Sequence, residues 1–246
     1  RKRHLVSLGF ACCVVATAFA PQDPQPVDPQ PVDPQPVALP QQDPARQQPI
    51  GPGPQWGGGN PEGRNAVFAT SDGCARCHSA APHAHAMRSP LGEDVSPHGT
   101  WQATVMANSF RDPYWRAQVA RECELDPGHA GEVQALCIRC HAPMHHHTRV
   151  LGGQPATTIA EAAEDPLAQD GVSCAMCHQI RARHLGEETT FSGKARIGKS
   201  RVIYGPYKDP DSGPMLGMTR YAAMHGEHLS RSALCATCHT LVTHHQ

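Results

Sequence analysis

The chain has 246 residues, a formal charge of −1 at neutral pH, 17 histidines and 11 cysteines. Its near-neutral charge gives no case for nucleic acid or an anionic membrane surface as partner. Only 5% of residues are aromatic, against 22 Gly and 24 Pro, so an ordinary apolar core is poorly supplied and the fold needs something else to pack around.

Arg1-Lys2-Arg3-His4 is basic and the stretch 5–20 is apolar, ending in small residues. Residues 1–20 read as a signal peptide, which places the protein outside the cytoplasm, in a periplasm or its equivalent. The stretch is short of the ~20 apolar residues of a membrane span, so membrane contact is expected only if it stays uncleaved. A lipoprotein signal ending at Cys12 is a poorer match, because Gly9-Phe10-Ala11 precedes it. In 21–59, Asp-Pro-Gln-Pro-Val stands three times, at 23–27, 28–32 and 33–37. Proline at this density fixes φ and removes backbone donors, so the segment reads as a disordered, extended linker. The folded domain is expected over 60–246.

Four copies of Cys-x-x-Cys-His organise that domain: Cys74, Cys77 and His78; Cys137, Cys140 and His141; Cys174, Cys177 and His178; Cys235, Cys238 and His239. This spelling is the signature of covalent c-type haem attachment. Two thiols one helical turn apart add to the porphyrin edge, and the adjoining imidazole is placed to ligate iron. A single copy could equally be a redox dithiol or half a zinc site. Four copies, each with histidine at the same offset, favour four covalently attached haems c. Cys123 is left over, and a small buried thiol is its plainest role.

Between the motifs the local signals point to short helices. Thr100 can cap a helix through 101–106. Asp112-Pro113 starts another, Tyr114 to Glu122, with Trp115 and Val119 inward. Thr158-Ile159-Ala160-Glu161 has the form of a capping box, and Asp165-Pro166 repeats the helix-start logic. Within 189–204, the run Arg201-Val202-Ile203-Tyr204 reads as a strand, whereas Met218 to His225 reads as a helix ending at Gly226. Gly193 to Ser200 spells the Gly-x-x-x-x-Gly-Lys-Ser phosphate loop, yet strand-like residues follow where a helix should open, so no nucleotide is expected. The expected class is mainly α with much irregular loop: short helices around four haems, with room for one small β hairpin.

The chain resembles multihaem c-type cytochromes of the cytochrome c-554 type. The resemblance spans about 74–246 and rests on the four motifs, on 101–115 with Asn108-Ser109-Phe110-Arg111-Asp112-Pro113-Tyr114-Trp115, on His141-Ala142-Pro143-Met144, and on Leu234 to Thr240. It implies closely stacked haems, mostly with two histidine ligands, and electron transfer as the activity. Longer relatives carry further motifs, so a tetrahaem end and a C-terminal truncation are both compatible with it.

Each motif supplies a proximal histidine, His78, His141, His178 and His239, and the sixth iron position then decides function. Candidates for that position are His98, His225, His228 and His85, in that order, then one of His145, His146 and His147. Met106, Met144 and Met224 are weaker, since methionine at helical spacing is usually core. For any single histidine a surface or core role is the plain alternative. Electron transfer is the leading expectation, with redox proteins as partners, a membrane-bound quinol-oxidising complex among them. A haem enzyme with one open iron, acting on a small nitrogen or oxygen species, is the second reading. A subunit of a larger electron-transfer complex or filament is the third.

Overall fold

The computed structural model describes residues 63–243. The expected signal peptide, the linker and the proposed domain start at Asn60 lie outside these residues. Ten α-helices run in chain order: α1 (Ser71–His78), α2 (Pro97–Gln102), α3 (Pro113–Leu125), α4 (Ala130–His141), α5 (Pro143–Leu151), α6 (Ile159–Ala162), α7 (Pro166–Gln169), α8 (Cys174–Cys177), α9 (Ser212–Thr219) and α10 (Ser232–His239). Strands β1 (Val202–Gly205) and β2 (Ala222–His225) form the sheet. The fold is therefore mainly α with much irregular loop, and among the described residues no helix is long and apolar enough to cross a membrane.

Local chemistry sets the starts of these helices. The Asp112 carboxylate accepts from Tyr114 N–H, with Pro113 at the first helical position, and α3 buries Trp115 and Val119 as expected. Thr158 and Glu161 close a reciprocal capping box on α6, and Asp165 caps α7. Three expectations need correction. The helix near Trp101 is capped by Ser96, whose hydroxyl accepts from Gly99 N–H, so it opens at Pro97 and takes in His98. The expected helix from Met218 to His225 stops at Thr219, where Arg220 turns left-handed at φ 62°, and Ala222–His225 extends as β2. That strand lies parallel to β1, pairing Val202 with Ala222 and Gly205 with His225, so the sheet is not a hairpin.

Two apolar clusters hold the elements together. One gathers Val67, Phe68, Met144, Leu167, Ile180 and Tyr221 around Ala175 and Met176, the two residues inside the third motif. The other gathers Phe110, Trp115, Val119 and Ala142 around Ile138, inside the second motif. The turn entering the third motif locks them to α1: buried Asp170 accepts from Ser71 N–H at 2.8 Å and Ser71 O–H at 2.7 Å. Gly171, at φ +62°, then passes so close that a Cβ would meet the Met106 carbonyl at 2.7 Å. Only glycine fits there without strain.

Candidate functional site

Each Cys-x-x-Cys lies on a helical turn, at the C-terminal ends of α1, α4 and α10 and along the whole of α8. The i, i+3 spacing puts both sulfurs of a motif on one helix face, with its histidine next in line. All eight thiols are free. The motifs approach one another in pairs. The thiols of Cys74 and Cys174 stand close enough to interact, which holds Cys74 below the ordinary thiol range and pushes Cys174 up. Cys140 and Cys238 are coupled the same way, with Cys140 lowered and Cys238 raised. Burial pushes Cys137 and Cys177 up to about 11. Thiols that hold their protons so tightly are poor nucleophiles at neutral pH, which argues against a dithiol exchange centre at these two positions.

The histidines of the second and third motifs are oriented by the protein. His141 Nδ1 donates to the Ser109 carbonyl at 2.9 Å, the Ser109 hydroxyl donates back to the His141 carbonyl at 3.0 Å, and the ring lies on Trp115 at 4.3 Å and 8° between planes. His178 Nδ1 donates to the Tyr204 carbonyl at 2.6 Å, while Tyr204 N–H returns a bond to the His178 carbonyl at 2.8 Å. A carbonyl can only accept, so Nδ1 carries a proton in both rings, and in the neutral tautomer that fits this bond Nε2 keeps the lone pair that a metal takes. Burial also holds His141 below the usual imidazole range, favouring the neutral, ligating form. His78 and His239 are exposed and make no hydrogen bond among the described residues.

The sequence candidates for a second axial ligand separate sharply. His98 is buried, and its Nδ1 shares a 3.1 Å hydrogen bond with the hydroxyl of Ser79, next in chain to His78. Burial lowers its pKa, again favouring the neutral ring. His228 is buried, but its Nε2 donates to the Ile180 carbonyl at 2.8 Å, which leaves only Nδ1 as a lone-pair donor. His225 and His85 are exposed, and among the described residues no side-chain hydrogen bond orients them. Met106 and Met224 are exposed too, whereas Met144 is fully buried and its sulfur accepts from the Ser173 hydroxyl.

The three histidines of α5 face three environments. His145 is used up, with Nδ1 on Asp165 at 2.6 Å and Nε2 on Thr157 at 2.8 Å. Burial brings His146 down to about 4 and His147 down to about 3. His147 is 5% exposed and its Nε2 has no hydrogen-bond partner among the described residues. A buried, neutral nitrogen without a partner is costly unless something not made of protein accepts it or binds it. Sequence reasoning offered the three as interchangeable. Their spacing of about 100° per residue on a helix implies that only one of them faces a given direction. Among the described residues no three His, Cys, Asp or Glu side chains converge as a metal site. No protein-family model, curated protein or solved structure matches the chain.

Proposed function

We propose that the chain is an exported multihaem c-type cytochrome that carries electrons through four haems attached at the four Cys-x-x-Cys-His motifs. The observation that carries this reading is the state of His141 and His178: each directly follows a free Cys-x-x-Cys pair and has Nδ1–H bonded to a backbone carbonyl, which keeps Nε2 available. A dithiol or a surface histidine has no need of that arrangement.

The residues present suit the group. Cys74 and Cys77, Cys137 and Cys140, Cys174 and Cys177, and Cys235 and Cys238 would hold its edge, and His78, His141, His178 and His239 would take the proximal position. His98 leads for the second position, since it is buried and held neutral. Haem iron, when bound, supplies one-electron exchange between ferric and ferrous states. The chain's part is to orient the imidazoles, exclude water around Trp115 and Met176, and bring the motifs together in pairs. The contacts of Cys74 with Cys174 and of Cys140 with Cys238 favour pairing the first motif with the third and the second with the fourth.

Electron paramagnetic resonance of the mature, air-oxidised protein, with total haem counted on the same sample, tests the reading. Four haems per chain with only low-spin ferric signal is the expected outcome. No covalent haem would remove the cytochrome reading altogether. A high-spin signal near one per chain would transfer the proposal to a haem enzyme with an open iron.

A further inference from the structure

A cleft of about 660 Å³ lies between α5 and the segments 181–183 and 189–197. Arg139, Arg181, Arg183, Lys194 and Arg196 line it, together with His147, and no acidic residue does. Among the described residues none of these five cations is ion-paired. The chain as a whole has a formal charge of −1, but Arg181, Arg183, Lys194 and Arg196 come from one basic stretch and the fold brings Arg139 to them. Lys194 and Arg196 come from the stretch that mimics a phosphate loop, and Gly193 presses that stretch onto the second motif, since a Cβ there would meet Arg139 Cβ at 2.6 Å. Arg139 itself stands between Cys137 and Cys140.

Five like charges around one concavity repel each other unless an anion enters. Four of them are arginines, whose planar forks match carboxylates with two parallel hydrogen bonds. His147 adds a second and independent sign of a missing occupant, because it lines the same cleft with a buried Nε2 that nothing satisfies. The volume falls in the usual range of ligand sites, ~300–1,000 Å³.

We infer that this cleft is a carboxylate-binding site, whose carboxylates come either from the propionates of a haem attached at Cys137 and Cys140 or from a free polycarboxylate. The first source rests on the cytochrome reading above; the second does not. In either case the arginine wall fixes the acid groups, and His147 meets the occupant from α5.

The test uses the mature protein with its haem counted, as wild type, R181Q/R196Q, K194Q and the control R121Q. Arg181, Arg196 and Lys194 are exposed, so their replacement leaves the core intact. Arg121 removes one positive charge from α3, away from the cleft. Citrate binding is followed by calorimetry, and the haem potentials by redox titration. If propionates occupy the site, wild type binds no citrate. One potential then falls in R181Q/R196Q, because loss of nearby positive charge favours the ferric state. A tenfold change in the oxidised-to-reduced ratio is expected, about 59 mV for one electron. K194Q gives a smaller shift and R121Q none. If a free acid occupies it, wild type binds one citrate per chain, at least tenfold more weakly in R181Q/R196Q, and no potential moves. Absence of both effects overturns the inference. Loss of haem from wild type counts against the cytochrome reading instead, and the citrate arm still decides the cleft.

Discussion

His141 and His178 stand in one kind of surroundings, His78 and His239 in another. The first two follow motifs whose inner residues, Ile138, Ala175 and Met176, are buried in the two apolar clusters, and each imidazole is fixed through Nδ1 by a carbonyl from a distant segment. The second two close α1 and α10 on the surface, without a hydrogen bond among the described residues. The histidine of the same five-letter motif is thus held by the fold twice and exposed twice, although Thr237 inside the fourth motif is itself fully buried. The fold therefore orients the imidazoles of the middle motifs itself, whereas the outer motifs are anchored through other residues, Ser71 on α1 and Thr237 on α10, and leave their imidazoles to solvent.

Removing the cysteines of a central and of an outer motif breaks this comparison most severely. C174A/C177A takes the proposed haem attachment from α8, a helix of only four residues whose Ala175 and Met176 belong to the first cluster. The expected outcome is a protease-sensitive chain that loses more than one haem. C235A/C238A should keep a protease-resistant domain and lack one haem by intact mass. Equal collapse of both variants would erase the distinction. Next in size is Trp115→Ala, which removes a buried ring and uncovers the face of His141. Loss of about 3–5 kcal/mol in urea unfolding is expected. Trp115→Phe retains a stacking face and most of the volume and should lose less than half as much; equal losses would show that neither the retained ring face nor the retained volume supplies the stability.

Asp170 sharpens the comparison from the other side, because it ties the outer first motif to the central third through Ser71. Asp170→Ala leaves a buried N–H and O–H without their acceptor and should cost about 3 kcal/mol. Asn can turn its oxygen to the Ser71 N–H and donate its amide to the hydroxyl, so Asp170→Asn should cost under about 1 kcal/mol. Burial raises the Asp170 pKa above its ordinary value, and bonds from Ser173 and Ser71 oppose this only in part. A raised carboxyl binds its proton more tightly in the folded state, so its contribution declines as pH rises from the unfolded value through the folded one. Unfolding at pH 4 and pH 7 should therefore show Asn gaining on Asp at the higher pH.

What could be read in advance was what is local. Asp112-Pro113, the Thr158–Glu161 box and Asp165-Pro166 each specify a helix start within a few residues, and each does so in the fold. The motifs, with helical spacing and histidine attached, were equally legible. β2 was not, because Ala222–His225 carries no strong strand signal and extends only through its pairing with β1, some twenty positions earlier. The carbonyls that set the His141 and His178 tautomers lie 32 and 26 residues away, beyond any local pattern. Ser96 displaced Thr100 as a cap because it precedes Pro97, a rule visible in the sequence but outweighed there by the apolar run after Thr100. The run His145 to His147 is legible as a cluster, but not as one buried and satisfied ring, one half-buried ring and one buried ring whose Nε2 lacks a partner among the described residues.

The smallest effect separates the satisfied member of that run from the unsatisfied one. Asp165 holds His145 and also caps α7 through Leu167 N–H. Burial pushes the Asp165 carboxyl up, but the His145 bond and the Leu167 N–H outweigh it, and the net position is below the ordinary value. A depressed carboxyl contributes stability that is fully present above the unfolded value of 3.8 and is lost as pH falls through the lower folded value. Wild type should therefore show an acid limb below pH ~4 that both Asp165→Asn and Asp165→Ala flatten. Asn preserves the cap while Ala removes it, so at pH 7 Ala should be less stable than Asn by about 1 kcal/mol. An acid limb unchanged in both variants would mean that His145 is not anchored by this carboxylate. The contrast with His147, which rests on one ring being held by protein and the other not, would then lose its footing.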